Sequence, residues 1–212
     1  RMARQKGFIP VLTTNGTLLA NGHQIIEASP HKIQISLHSQ EGNGREYPVE
    51  YVREVMTFAG EAASKGILVV LRLWNQGGYD HANDIILDWI AQYQPRPWTE
   101  RHDGWKLSEN LYVEYDRMFE WPDSERDEYE EVDVFCYALR NQIGVLVDGS
   151  VVPCCLDHNG DITLGNLFKQ SLDDILASLR AQMLYDGFTR HVANEPLCRR
   201  CGYAMETKRY RR

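Results

Sequence analysis

Several features that mark other protein classes are missing from this 212-residue sequence. No apolar run approaches the 18 residues of a membrane-spanning helix, and the first ten residues lack the apolar centre of a signal peptide. There is no P-loop, no G-x-G-x-x-G and no G-x-S-x-G motif, so nothing points to a nucleotide site or a serine hydrolase. We therefore expect a cytoplasmic protein that does not cross a membrane.

An excess of positive charge is also lacking, because the net charge is −7. Residues 96–133 hold 13 acidic against 5 basic residues, and residues 199–212 hold six Lys or Arg against one Glu. Both segments are typical of solvated surface. Six basic residues at one end are a small footprint for nucleic acid, and the acidic body would repel phosphates. The sequence therefore predicts no nucleic-acid partner.

Cysteine is scarce, but four of the five cysteines form a pattern. Cys136 and Cys154 enclose Gly149 in the spacing C-x12-G-x4-C, and Cys198 and Cys201 form a C-x2-C motif further along. Four thiolates can close a tetrahedral zinc site or ligate a [4Fe–4S] cluster, so spacing alone leaves the metal open.

The alternatives to a metal site are buried thiols or a disulfide. A buried thiol suits Cys136, which lies in an apolar run, because free Cys often packs as a small hydrophobe. It suits the C-x2-C motif poorly, since Arg199 and Arg200 fill the gap and Gly202 follows. Disulfides are rare in a reducing cytoplasm. The pattern thus favours a metal site.

Strand and helix patterns alternate through the first half, which predicts βαβ units and a parallel sheet. The stretch 94–110 is predicted to be a long loop. The second half changes to a β-hairpin around Asp148-Gly149 and to a capping box at Ser171 that opens a helix. The predicted strands cover residues 8–13, 32–37, 67–74 and 111–115. The first helix is predicted to begin at Pro48 and to end with Gly66 as its C′ residue, and Asn83 is predicted to cap the second helix. An apolar stripe follows at Leu172, Ile175, Leu176, Leu179 and Met183.

The stretch from Cys136 to Cys201 resembles the auxiliary-cluster extension of radical S-adenosylmethionine (radical SAM) enzymes, called SPASM with two clusters and twitch with one. No cysteine follows Cys201, so the resemblance is to the one-cluster form. It implies an auxiliary [4Fe–4S] cluster ligated by Cys136, Cys154, Cys198 and Cys201. Cys154 is preferred to Cys155 because it completes the G-x4-C spacing.

Residues 8–118 resemble the later strands of a radical SAM partial barrel. Side chains at these strand ends face the cofactor in that family, which implies that Asn15, Ser36 and Arg72 contact S-adenosylmethionine. The alternative is structural, with Ser36 capping a turn and Arg72 forming an ion pair.

The family's C-x3-C-x2-C motif, which binds the cluster that cleaves S-adenosylmethionine, is absent. The resemblance also places residue 8 in the third strand of the barrel. We therefore expect an N-terminally incomplete chain whose open sheet edge pairs with a missing segment or with a second copy.

Together these observations predict an α/β fold, with an incomplete radical SAM partial barrel in residues 1–120 and a small α+β twitch domain in residues 121–212. The expected function is that of a fragment of a radical SAM enzyme. Its parent would hold S-adenosylmethionine and a second [4Fe–4S] cluster, and would abstract hydrogen from, or oxidise, a peptide or small molecule. The catalytic residues are not predicted. The alternative is a non-catalytic zinc or iron–sulfur module that recruits a partner.

Overall fold

The structure is a computed structural model that describes residues 1–19, 21–37, 49–75, 81–126 and 133–209. It divides into two compact units, Arg1–Met118 and Phe119–Arg212. Among the described residues, no helix is long and apolar enough to cross a membrane. Each unit has its own hydrophobic core, so each is described by itself.

The first unit is built on a six-stranded sheet with strand order β1-β2-β3-β6-β5-β4. Strands β1, β2, β3 and β6 are parallel neighbours, as the alternating strand and helix patterns predict. Strand β3 is almost wholly apolar because both of its faces are covered. The strands are β1 (Val11–Thr14), β2 (Lys32–Ser36), β3 (Leu68–Asn75), β4 (Thr99–Arg101), β5 (Gly104–Ser108) and β6 (Leu111–Arg117).

Helix α3 provides much of the core of this unit. Its apolar residues recur with helical spacing, and Val52, Val55 and Ala59 are fully buried. The helix ends at Ser64, and Gly66 follows as the predicted C′ residue, with its N–H donating to the carbonyl of Ala63. Pro48 lies outside the described residues. The helices of this unit are α1 (Met2–Gln5), α2 (Gly22–Ala28), α3 (Val49–Ser64) and α4 (His81–Tyr93).

Two predictions for this unit were wrong. Asn83 does not cap α4, because the helix begins two residues earlier, and Asn83 is a buried residue within it. The stretch 94–110 is not a loop, because it contains the antiparallel hairpin β4–β5 and continues the sheet beyond β6. The Asp103-Gly104 dipeptide is the sequence signal that points to this hairpin. The α/β class is confirmed, whereas closure into a partial barrel stays a prediction.

The second unit combines a small antiparallel sheet with short helices. The predicted hairpin is confirmed, with Val145 paired to Val151 across a turn in which Gly149 has φ +82°. One half of the predicted capping box is confirmed too, since the Ser171 hydroxyl accepts from the N–H of Asp174. The elements are β7 (Gly144–Val145), β8 (Ser150–Val152), β9 (Gly165–Asn166), α5 (Leu172–Leu176), α6 (Leu179–Thr189), α7 (Pro196–Arg199) and α8 (Gly202–Arg209).

The apolar stripe after Ser171 differs from the prediction. It is split between two helices, because Ser178 begins α6 with its own side-chain cap. Only Ile175 of the stripe is buried, while Leu179 is 73% exposed. The core of this unit instead uses other residues of α6, with Ala181, Leu184 and Phe188 packed against Val151 and Ile162.

Candidate metal centre

The four cysteines of the sequence pattern line one cavity of the second unit. Cys136 precedes the β7–β8 hairpin, Cys154 follows it, and Cys198 and Cys201 flank the end of α7. The hairpin and the C-x2-C turn therefore bring together thiols that lie far apart in sequence. The cavity, of about 20 Å³, is lined otherwise mainly by apolar side chains, namely Pro122, Val134, Ala138, Pro153, Ile162, Phe188, Leu197 and Ala204, together with Asp157.

Burial governs the protonation of these thiols. Loss of hydration raises the pKa of Cys154 to about 11, and it raises the pKa of Cys198 well above its usual range. Neighbouring thiolate charges raise the pKa of Cys198 further, namely those of Cys136, Cys154 and Cys201. Burial likewise raises the pKa of Cys136 and of Cys201. Without metal, these groups are therefore neutral thiols at physiological pH.

Backbone N–H groups oppose this effect at three of the sulfurs. The N–H of Ala138 donates to the Cys136 sulfur at 3.4 Å, and such bonds favour the thiolate and lower its pKa. Bonds of this kind to cluster-ligating sulfurs tune an iron–sulfur centre. The donors are Tyr137 and Ala138 for Cys136, Leu156 and Asp157 for Cys154, and Tyr203 and Ala204 for Cys201.

Asp157 is a site residue that the sequence analysis missed. Its side chain lines the cavity and is only 2% exposed. The carboxylate accepts from the N–H groups of Asp161 and Ile162, each at 2.9 Å, and so closes the loop that follows Cys154. The sequence signal is an Asp before Asn159-Gly160, which is a pattern typical of side-chain-stabilised turns.

Cys155 lies outside this arrangement. It is exposed and does not line the cavity, and its sulfur lies 3.9 Å from the Gln142 side-chain oxygen. Within the described ranges, there is no group of three or more His, Cys, Asp or Glu side chains that could hold a single metal ion. A four-iron cluster tolerates such an arrangement, because each thiolate binds a different iron. The donor set, four thiols with apolar walls and N–H donors, fits an iron–sulfur cluster.

The three residues implied as cofactor contacts lie in the first unit. Ser36 ends β2 and is paired in register with Arg72 of β3, and Asn15 directly follows β1. Arg72 forms an ion pair with Asp116 on β6, and its guanidinium lies 5.5 Å from the ring centroid of Trp74. The ion pair is the structural role considered as the alternative for Arg72. Contact of these three residues with a cofactor stays a prediction.

Comparison with known proteins agrees with the cysteine pattern. The family model for the SPASM iron–sulfur cluster-binding domain matches residues 136–202, a span that begins at Cys136 and includes Cys154, Cys198 and Cys201. No curated protein and no solved structure matches the chain. This chain therefore carries a SPASM iron–sulfur cluster-binding domain over residues 136–202.

Proposed function

We propose that the second unit binds one [4Fe–4S] cluster through Cys136, Cys154, Cys198 and Cys201. The observation that carries this proposal is the convergence of four thiols on one mainly apolar cavity. The SPASM match supports the same group of residues. When bound, such a cluster supplies one-electron transfer at a position that the protein holds away from water.

The surrounding residues prepare the thiols for this ligation. Metal must displace the protons of four thiols, so binding releases protons and weakens as the pH falls. The N–H groups of Ala138 and Asp157 offset part of the cost of burying thiolates at Cys136 and Cys154. The apolar walls reduce the access of water to the sulfurs of the four cysteines, which are half-buried.

We further propose that the chain acts as part of a radical SAM enzyme that abstracts hydrogen from, or oxidises, a peptide or small molecule in the cytoplasm. The first unit would then contact S-adenosylmethionine through Asn15, Ser36 and Arg72. Support comes from their placement at or near the carboxyl ends of three adjacent parallel strands, where α/β sheets bind ligands. Arg72 would exchange its bond with Asp116 for the carboxylate of the cofactor.

Metal content and absorbance test the cluster directly. Protein reconstituted without oxygen should hold about four irons and four sulfides, with broad absorbance near about 400 nm. Replacement of any of the four cavity cysteines by Ala should remove most of that iron. Cys155→Ala is the matched control, because Cys155 is adjacent to a proposed ligand but lies outside the cavity.

Two outcomes would overturn this ligand set. Iron that survives Cys198→Ala but is lost in Cys155→Ala would show that other thiols bind it. One zinc per chain, without sulfide and without the visible absorbance, would favour the non-catalytic zinc module.

A further inference from the structure

Residues 119–126, here called the strap, cross one wall of the four-cysteine cavity. Pro122 of the strap is buried and lines the cavity together with the cysteines. One side of the strap contacts the loop that follows Cys154. The Trp121 and His158 rings meet edge to face at 5.8 Å, and the Ser124 hydroxyl donates to the Asp161 carboxylate at 3.1 Å.

The other side of the strap contacts the C-x2-C turn. Arg200, which lies between Cys198 and Cys201, donates through Nε to the carbonyl of Arg126 at 2.6 Å. Gly202 packs so closely that an added methyl group would stand 2.5 Å from the Glu120 carbonyl oxygen. The strap therefore bridges the two chain segments that supply three of the four thiols.

Arg126 also closes the strap upon itself. Its guanidinium donates to the Glu120 carboxylate at 2.7 Å and to the Trp121 carbonyl at 3.2 Å. The Arg126 side chain is only 19% exposed. Arg200 therefore donates to the carbonyl of Arg126, and the side chain of Arg126 stabilises the conformation of the strap.

We propose that Arg200 is a positioning residue of the metal centre, which fastens the strap over the cavity and so sets how fast solutes reach the thiols. The proposal rests on the proposed function, in that these thiols are the ligands. Arg200 is suited to this role because the strap bond originates within the ligand turn itself. Breaking this bond would therefore release the strap and loosen the C-x2-C turn at the same time.

Thiol labelling of the metal-free protein tests the proposal without a cluster. Reduced protein is exposed briefly to N-ethylmaleimide, and each cysteine is quantified by peptide mass spectrometry. Arg200→Ala should label Cys136, Cys154, Cys198 and Cys201 at least about tenfold faster, the effect of losing the strap bond from a charged donor. The same variant also loses a longer bond, of 3.5 Å, from Arg200 to the Pro196 carbonyl. Labelling of exposed Cys155 should not change.

Arg199→Ala is the matched control, because it removes the same charge from the same turn. Arg199 donates through Nε to the Ala193 carbonyl at 2.9 Å, which lies outside the strap. Its labelling rates should stay within about twofold of the parent, as for a substitution that leaves the strap fastened. Arg200→Lys should rescue part of the protection, since an ammonium group also donates to a carbonyl.

Ser124→Ala tests the opposite end of the strap and decides the matter if Arg200→Ala fails to fold. It should speed labelling of the same four thiols roughly threefold, the effect of losing one solvent-exposed hydrogen bond. Equal rates in Arg200→Ala and Arg199→Ala, or no change in Ser124→Ala, would overturn the proposal.

The loaded protein separates this proposal from the cluster itself. Iron removal by a chelator should follow the same ranking of variants from an equal starting content. Parent protein that takes up no iron would refute the proposed function, while the labelling ratios would still decide the role of the strap.

Discussion

Replacing Asp157 by alanine should destabilise the second unit and impair metal loading together. Its carboxylate is 2% exposed and accepts two backbone N–H groups, those of Asp161 and Ile162, each at 2.9 Å. Alanine leaves both donors without this acceptor, and the N–H of Ile162 is in a buried position. Each lost bond to a charged acceptor costs about 1.5–3 kcal/mol, and the two are coupled through one side chain, so we expect a total loss of about 3 kcal/mol.

Urea unfolding of the reduced, metal-free protein measures this loss. A lower midpoint at constant slope reports a change in stability alone. Asp157→Asn should lose about half as much, because its one carbonyl oxygen still accepts a hydrogen bond. Asp173→Ala is the control, since this exposed acid on α5 should change stability by less than about 0.5 kcal/mol.

The expected consequence for metal follows from the position of the loop. It begins at Cys154, whose carbonyl accepts from the N–H of Asp157 at 3.4 Å, so its loosening frees one thiol of the proposed ligand set. The Asp157→Ala variant should therefore retain less iron than the parent after reconstitution. A midpoint equal to that of Asp173→Ala would refute the reasoning.

Three further predictions concern the same unit. Since folding raises the pKa of Cys154 to about 11, the reduced metal-free protein should be most stable below about pH 9. It should lose stability as the pH rises through 11, as followed by melting temperature, and a flat profile would count against buried thiols. Gly149→Ala should cost about 1–3 kcal/mol in urea unfolding, because φ is +82° and the new methyl would stand 2.8 Å from the Phe168 ring. Ile175→Ala should cost about 2–5 kcal/mol while Leu179→Ala costs little; equal losses would contradict their 0% and 73% exposure.

Local patterns in the sequence were sufficient for several elements. The Asp148-Gly149 turn and the Ser171 cap depend on bonds between residues close in the chain. They can therefore be predicted from the local sequence without knowledge of the tertiary structure. The same is true of β3, whose apolar run has the composition of a strand covered on both faces. The resemblance that the cysteine pattern carries likewise pointed to the domain that the SPASM family model matches.

Other features depend on contacts between distant residues, and only the tertiary structure decided them. The β4–β5 hairpin is short and rich in polar residues, and it exists because β6 offers it an edge. Leu179 continues an apolar stripe in the sequence, yet the start of a new helix at Ser178 turns it to solvent. Periodicity shows which residues share a face, but it does not show whether another element covers that face.

Some features of the candidate metal centre were likewise predictable from the sequence, and others only from the tertiary structure. The sequence by itself was sufficient to select the four thiols as candidate ligands, because a cysteine is a metal-binding residue type and the spacing groups these four. The burial of Asp157, the N–H donors at the sulfurs and the bond from Arg200 to the carbonyl of Arg126 were decided by the tertiary structure. The physical reason is that a backbone carbonyl or N–H is the same in every residue. Its role depends only on where the fold places it.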